Sequence, residues 1–234
     1  MLLRAAALGL GLATSAGAQA GLDVTAARYT EPTTRYAHAV LGDAVEWGAV
    51  EMDVGASRVT VRLPQSDVFE DLMPRVVDVD LDGARDVAVI ETRSGLGARF
   101  AVYRGDGSLL TATPYIGRNF RWLAPVAIAD LDGDGAIELA YIDRPHLAKT
   151  LRVWRYRDGD LTEVASSAGL TNHRIGDAFI VGGLKTCGSA PEMITVDAGW
   201  DRIMATRLSE GQLSTAVLGP YDGRASIDAA MQCP

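Results

Sequence analysis

Residues 78–86 read DVDLDGARD, and residues 130–138 read DLDGDGAIE. Both stretches fit the pattern D-x-D-x-D-G-x-x-[DE], and their first residues lie 52 positions apart. Acidic side chains at positions 1, 3, 5 and 9 converge only when the backbone curls around a centre, and the glycine at position 6 permits the sharp turn. Carboxylates about 4 Å apart repel by about 4 kcal/mol per pair at an effective dielectric constant near 20. The pattern therefore predicts that each stretch surrounds a cation.

The cation that best fits such a ring is Ca²⁺, because Mg²⁺ demands a tighter octahedron and retains waters. EF-hand loops share the first half of the pattern but need a bidentate Glu at position 12 and a helix on each side. Position 12 is Val89 in one copy and Tyr141 in the other, and short apolar runs typical of buried strands flank both copies. An EF-hand is therefore excluded, and the sequence predicts a strand, an acidic loop and a second strand.

A period of 52 residues extends beyond these two loops. Four turn-like segments are centred on equally spaced glycines, namely Gly55, Gly107, Gly159 and Gly211. Alternating apolar residues, many of them β-branched or aromatic, flank the turns, as in residues 59–63 and 100–103. This pattern is typical of β-hairpins whose tip glycine takes a positive φ. We therefore predict an all-β chain built from repeats.

The unit of strand, acidic loop, strand and hairpin resembles the FG-GAP/VCBS-type repeat, which forms the blades of the integrin α N-terminal β-propeller. The resemblance rests on the two loops and the strand pattern around them, over roughly residues 35–231. It implies two Ca²⁺ sites, each formed by the acidic side chains and the backbone carbonyl at the seventh position. The implied ligands are Asp78, Asp80, Asp82, Ala84 and Asp86 in the first loop, and Asp130, Asp132, Asp134, Ala136 and Glu138 in the second. Glu138 departs from the Asp that is usual at the last place.

The resemblance also implies a small β-propeller of four blades, since four repeats of 52 residues nearly account for the chain after residue 20. Residues 225–231 are predicted to form a C-terminal strand that pairs with the first blade and closes the ring. Five blades are the alternative, if residues 21–34 and 214–231 build a blade of their own.

Further strands are expected at residues 36–41 and 48–52 in the first blade and at residues 178–181 in the fourth. The loop of the fourth blade, residues 182–189, has lost the acidic residues, and no calcium is predicted there.

The chain has two cysteines, Cys187 in the loop of the fourth blade and Cys233 just after the predicted closing strand. A closed ring places both on one face of adjacent blades, so we expect a Cys187–Cys233 disulfide, with two free thiols as the alternative. Two cysteines exclude a disulfide-dense miniprotein, and no CxxC motif or Cys/His cluster offers a zinc site.

Residues 1–20 have the features of a secretory signal peptide. Arg4 precedes an apolar run over residues 5–13, and Ala18-Gln19-Ala20 fits the small-x-small cleavage pattern. The run is far shorter than the roughly 20 residues that a membrane-spanning helix needs. We therefore expect cleavage near Ala20, a secreted or periplasmic protein, and a single propeller domain over residues 21–234. That compartment permits a disulfide.

The formal net charge of −8 provides no positive surface for a phosphate backbone or an anionic membrane. We therefore expect neither nucleic-acid binding nor membrane insertion.

Two classes of function fit the sequence. The favoured one is a calcium-stabilised binding or scaffold module with a protein or carbohydrate ligand, in which Ca²⁺ is structural. The alternative is a periplasmic, hydrolase-like enzyme with a pocket on the propeller face and His146 or His173 as its acid or base. No catalytic motif of recognisable spacing occurs in the sequence, so no catalytic residue is assigned and the non-enzymatic function is favoured.

Overall fold

Antiparallel β-strands, joined by loops and turns, build the part of the chain that the structure describes. The computed structural model describes residues 22–188 and 190–233, and in these residues it contains seventeen strands and one short helix. The predicted signal peptide, residues 1–20, lies outside the described residues. Within the described part of the chain the all-β prediction is confirmed.

The first sheet contains eight strands: β1 (Val24–Thr33), β2 (Glu46–Val54), β3 (Ser57–Arg62), β4 (Asp67–Phe69), β5 (Arg75–Val77), β6 (Asp86–Arg93), β7 (Gly97–Tyr103) and β8 (Leu109–Ala112). Strands β1, β2, β4, β6, β7 and β8 are neighbours in that order, while β3 pairs with β2 and β5 pairs with β6. The short strand β4 joins β2 to β6 within this sheet, because Phe69 pairs with Trp47 of β2 on one side and with Glu91 of β6 on the other.

The second sheet contains four strands in simple order: β9 (Leu123–Ala129), β10 (Glu138–Asp143), β11 (Thr150–Arg157) and β12 (Asp160–Ala168). The third contains five: β13 (Leu170–Thr171), β14 (Gly183–Lys185), β15 (Glu192–Asp197), β16 (Arg202–Ser209) and β17 (Gln212–Pro220). Both β13 and β14 pair with β15. The helix, α1 (Arg224–Met231), follows β17.

The same four-stranded antiparallel unit occurs three times, as β5–β8, β9–β12 and β14–β17. The N-terminal unit has three strands, β1 to β3, and ends in the same type of hairpin. All four predicted hairpins are confirmed, and their tip glycines have φ values of 57°, 85°, 94° and 72° in chain order. The hydrogen bonds define three sheets rather than separate blades, so the number of blades stays a prediction.

Adjacent sheets pack face to face through apolar side chains. Phe100 of the first sheet and Leu139 of the second belong to one buried cluster, and Leu151 of the second sheet and Met193 of the third belong to another. No helix in the described part of the chain is long and apolar enough to cross a membrane.

The predicted C-terminal strand is wrong. Residues 225–231 lie within α1, and they pack on the third sheet instead of pairing with the first blade. The segment is rich in Ala, the best helix former, and its apolar residues also fit a helical period. The helix buries Ile227 against Val181 and Ile194. Lys185 of β14 donates from Nζ to the carbonyl of Ala230 at 2.7 Å and holds the helix there.

Two other predicted strands, at residues 36–41 and 178–181, are also wrong. Residues 36–41 form a loop, and β1 takes the place beside β2; Tyr36 and Val40 are buried from the loop, which explains their strand-like spacing. Residues 178–181 are irregular, and the first strand of that unit is β14.

Candidate metal centre

The two acidic loops occupy the same place in successive units. Residues 78–85 join β5 to β6, and residues 130–137 join β9 to β10. Strands flank both loops, which confirms the exclusion of an EF-hand.

The carboxylates of the first loop hold its backbone in a tight turn by accepting hydrogen bonds from backbone N–H groups of the same loop. Asp78 Oδ2 accepts a hydrogen bond from the backbone N–H of Gly83 at 3.0 Å. Asp86 Oδ2 reaches back to accept one from the N–H of Val79 at 3.2 Å. Gly83 has a φ of 91°, a conformation that favours glycine, so the glycine of the motif is explained by the turn.

This curl brings three carboxylates of the first loop together. Asp78, Asp80 and Asp86 each offer an oxygen, and the three oxygens lie within 4.8 Å of one another. In addition, Asp78 Oδ1 is buried and has no hydrogen-bond partner among the described residues. A buried carboxylate oxygen without a partner is costly. The donor set therefore fits a hard metal cation.

The electrostatics of the first loop agree with that conclusion. Burial raises the pKa of Asp86 to about 7, and the neighbouring carboxylates of Asp80, Asp82 and Asp78 add to the rise, whereas the hydrogen bond from Val79 opposes it. Burial also raises the pKa of Asp80, with the charge of Asp82 as the next contribution. The negative charge of this loop is thus poorly compensated by the chain itself.

The second loop repeats the geometry of the first. Asp130 Oδ2 accepts a hydrogen bond from the N–H of Gly135 at 3.0 Å, and Glu138 Oε2 accepts one from the N–H of Leu131 at 2.8 Å. Asp130, Asp132 and Glu138 again offer three oxygens within 4.8 Å of one another. Each loop therefore has an acidic cluster that could hold a metal ion.

The second loop differs in its charge balance. The Arg155 side chain bonds to Asp132, Asp134 and Glu138, and Arg157 donates to Asp134 at 2.6 Å. The pKa of Asp134 is lowered, chiefly by the hydrogen bond from the N–H of Ala136. Burial opposes this shift, and the charges of Arg155 and Arg157 add to it. Sequence reasoning missed Arg155, because only the strand register places it beside the loop.

The remaining predicted ligands lie outside the two carboxylate clusters. Asp82 Oδ1 accepts a hydrogen bond from the N–H of Ala84 at 2.8 Å, and Asp134 Oδ1 accepts one from the N–H of Ala136 at 2.9 Å. Coordination by Asp82, Asp134 and the two alanine carbonyls stays a prediction.

Two clefts lie near the loops. One, with a volume of about 320 Å³, is lined by residues of both loops, including Asp80 and Asp134. The other, of about 420 Å³, is lined by β5, β9 and β14, which are the first strands of the three units. Its lining is largely apolar and includes the exposed side chain of Met73.

The structure also brings together histidines that the sequence separates widely. His146 and His173 are hydrogen-bonded through Nε2 and Nδ1 at 2.9 Å, and His173 Nε2 donates to the carbonyl of Asp177 at 2.8 Å. Burial lowers the pKa of His146 to about 4, with a further contribution from His173. His38 lines the same small pocket as His146 and pairs with Glu70 at 2.5 Å. That pocket has a volume of only about 30 Å³.

The fold and the loops together define a class: an all-β repeat protein in which a strand, an acidic loop and a strand open successive antiparallel units. Residues 78–141 match the sequence model of the FG-GAP-like repeat. The match begins at the first acid of the first loop and ends within β10. The resemblance inferred from the sequence is therefore confirmed over these residues. A search of curated proteins found no match to the chain.

Proposed function

We propose that this chain is a calcium-stabilised binding module of the FG-GAP-like type, secreted or periplasmic, in which the ion is structural. The observation that carries the proposal is the first loop, where three carboxylates cluster and the buried Oδ1 of Asp78 finds no hydrogen-bond partner within residues 22–188 and 190–233. Calcium accepts six to eight oxygen ligands in a flexible ring, which suits side chains that curl around a turn. The ion supplies positive charge where the chain has little of its own.

The ion's place explains how it stabilises the fold. The first loop connects β5 to β6, so holding its two ends together holds the first pair of strands of that unit. Extracellular calcium modules bind with dissociation constants of about 10⁻⁴–10⁻³ M, and a tenfold excess over that constant adds about 1.4 kcal/mol to folding. We therefore propose a structural ion rather than a catalytic one.

The cleft between β5, β9 and β14 is the proposed ligand surface. Its volume of about 420 Å³ and its apolar lining, with Met73 and Leu72 exposed, suit apolar side chains of a protein ligand. A carbohydrate ligand usually needs an aromatic surface for stacking, and the described residues that line this cleft include none. The small pocket beside His38 and His146 holds about one water molecule, so the geometry favours a binding module over the hydrolase-like alternative.

Two features support export. The features of residues 1–20 favour a signal peptide. The disulfide between Cys187 and Cys233 is the type of bond that persists in oxidising compartments.

Thermal unfolding in millimolar calcium and in EDTA tests the calcium proposal. We expect chelation to lower the melting temperature of the wild-type protein by about 3–5 °C, and magnesium to restore little of that loss. Asp78→Asn should abolish the response, whereas Asp228→Asn, at an exposed acid of α1, should keep it. An unchanged melting temperature in EDTA, with no calcium in the purified protein, would refute the proposal.

A further inference from the structure

We propose that the guanidinium of Arg155 takes the place of the metal ion in the second acidic loop, so that the chain binds one Ca²⁺ rather than two. The inference rests on the proposed calcium function. It distinguishes two loops whose sequence motifs are nearly the same.

Arg155 reaches the loop from the neighbouring strand. It lies on β11 directly opposite Glu138 in the register of β10 and β11, so its side chain starts beside the last acid of the loop. Nε donates to Glu138 Oε1 at 2.5 Å and Nη2 donates to Asp132 Oδ2 at 2.6 Å. Nη1 lies 2.9 Å from Asp134 Oδ2. Three nitrogens of one side chain thus serve three of the loop's four acids.

A calcium ion in this cluster would share the carboxylates of Asp132 and Glu138 with Arg155. Hydrogen bonds between charged partners are about twice as strong as neutral ones, and the Arg155 side chain is only 15% exposed. The positive charge of the guanidinium repels a second cation at the same carboxylates, so binding of an ion is opposed unless Arg155 gives up these three contacts. The loop therefore carries its own cation.

Glu138 explains why the second loop accommodates an arginine. One of its oxygens accepts the hydrogen bond from the N–H of Leu131, and the other accepts the bond from Arg155. The extra methylene of Glu, compared with Asp86 in the first loop, extends the carboxylate toward β11. The departure from the usual Asp thus has a structural reason.

The first loop has no comparable internal cation. Among the ion pairs of the described residues, its four acids have one partner, Arg104, which comes no closer than 3.6 Å to Asp80. The Arg104 side chain is 37% exposed, and it leaves Asp78 Oδ1 without a partner. Among the described residues, the first loop therefore has no arginine hydrogen-bonded to its acids, and an external ion would supply the missing positive charge.

The second loop keeps its cluster of carboxylates in the presence of Arg155. The side chain of Asp132 is 7% exposed, and its buried Oδ1 has no hydrogen-bond partner in the described part of the chain, although its Oδ2 binds Arg155. Asp132 is one of the three acids of the second cluster, together with Asp130 and Glu138. Removing the guanidinium should therefore create a second calcium site.

Native mass spectrometry in millimolar calcium counts the bound ions directly. We expect one ion on the wild-type protein, two on Arg155→Met and none on Asp78→Asn. The double variant Asp78→Asn/Arg155→Met should bind one ion. Arg157→Met is the matched control, because Arg157 is 61% exposed and forms an ion pair with Asp134 alone among the described residues, and this variant should keep a single ion.

The outcomes distinguish a failure of this inference from a failure of the proposed calcium binding. Two ions on the wild-type protein, one ion remaining on Asp78→Asn, or no gain in a folded Arg155→Met would overturn the inference while calcium binding stands. A second ion on Arg157→Met would also contradict it, because any loss of positive charge would then suffice. No ion on any of these proteins would overturn both. The Asp78→Asn result decides the question even if Arg155→Met does not fold.

Discussion

Cys187 is joined to Cys233 by a disulfide, with their Cα atoms 5.4 Å apart. The bond connects the loop that follows β14 to a residue just beyond α1. The predicted pairing is confirmed, although the closing strand that motivated it is a helix. Together with the contact between Lys185 and Ala230, the bond fixes α1 on the third sheet.

Removing this disulfide should destabilise the protein. Its two cysteines lie 46 residues apart, and the chain-entropy model assigns a loop of that length about 4 kcal/mol. We expect Cys187→Ser/Cys233→Ser to lose up to about that much free energy of unfolding in a urea titration. The reduced wild-type protein is the control and should match the double variant. Equal stability of the oxidised protein and the variant would show that the bond constrains nothing.

The C-terminal helix should depend on Ile227. Its side chain is fully buried against Val181, Ile194 and Val196. We expect Ile227→Ala to cost about 2–4 kcal/mol of unfolding free energy, from lost burial and the cavity that remains. Asp228→Ala, at the exposed neighbouring position, should change stability by less than about 0.5 kcal/mol. Hydrogen exchange should show α1 opening first in Ile227→Ala, and full protection of the helix would contradict the packing described.

Glu46 should make stability fall as the pH rises. Burial raises its pKa to about 9, and the charges of Glu70, Asp43 and Asp71 add to the rise. The folded state therefore keeps a proton that the unfolded state has lost, so the stability conferred by the neutral form declines between about pH 5 and pH 9.

Glu46→Gln removes this titration. We expect the variant to be more stable than the wild-type protein around pH 8, by up to about 5 kcal/mol, and to differ little around pH 4.5. Urea unfolding at the two pH values measures the difference. A variant with the same pH slope as the wild-type protein would show that Glu46 is ionised in the fold.

Features with a local cause were predictable from the sequence. The turn glycines at Gly55 and Gly107 and the curl around Asp78 each follow from backbone geometry within a few residues. Their repetition every 52 residues then indicated the repeated unit, which the three sheets contain.

Features decided by tertiary contacts were not predictable in this way. Residues 225–231 fit both a strand and a helical period, and packing on Val181 decides for the helix. The contact of His146 with His173 and the position of Arg155 depend on strand register and on how sheets pack. The charge balance of the second loop depends on Arg155, which only the register of β10 and β11 places opposite Glu138.

A crystal structure determined in millimolar calcium would test the calcium site most directly. We predict an anomalous difference peak in the first loop, with oxygens of Asp78, Asp80 and Asp86 at about 2.3–2.6 Å from the ion. An ordered first loop without such a peak at that calcium concentration would contradict the account.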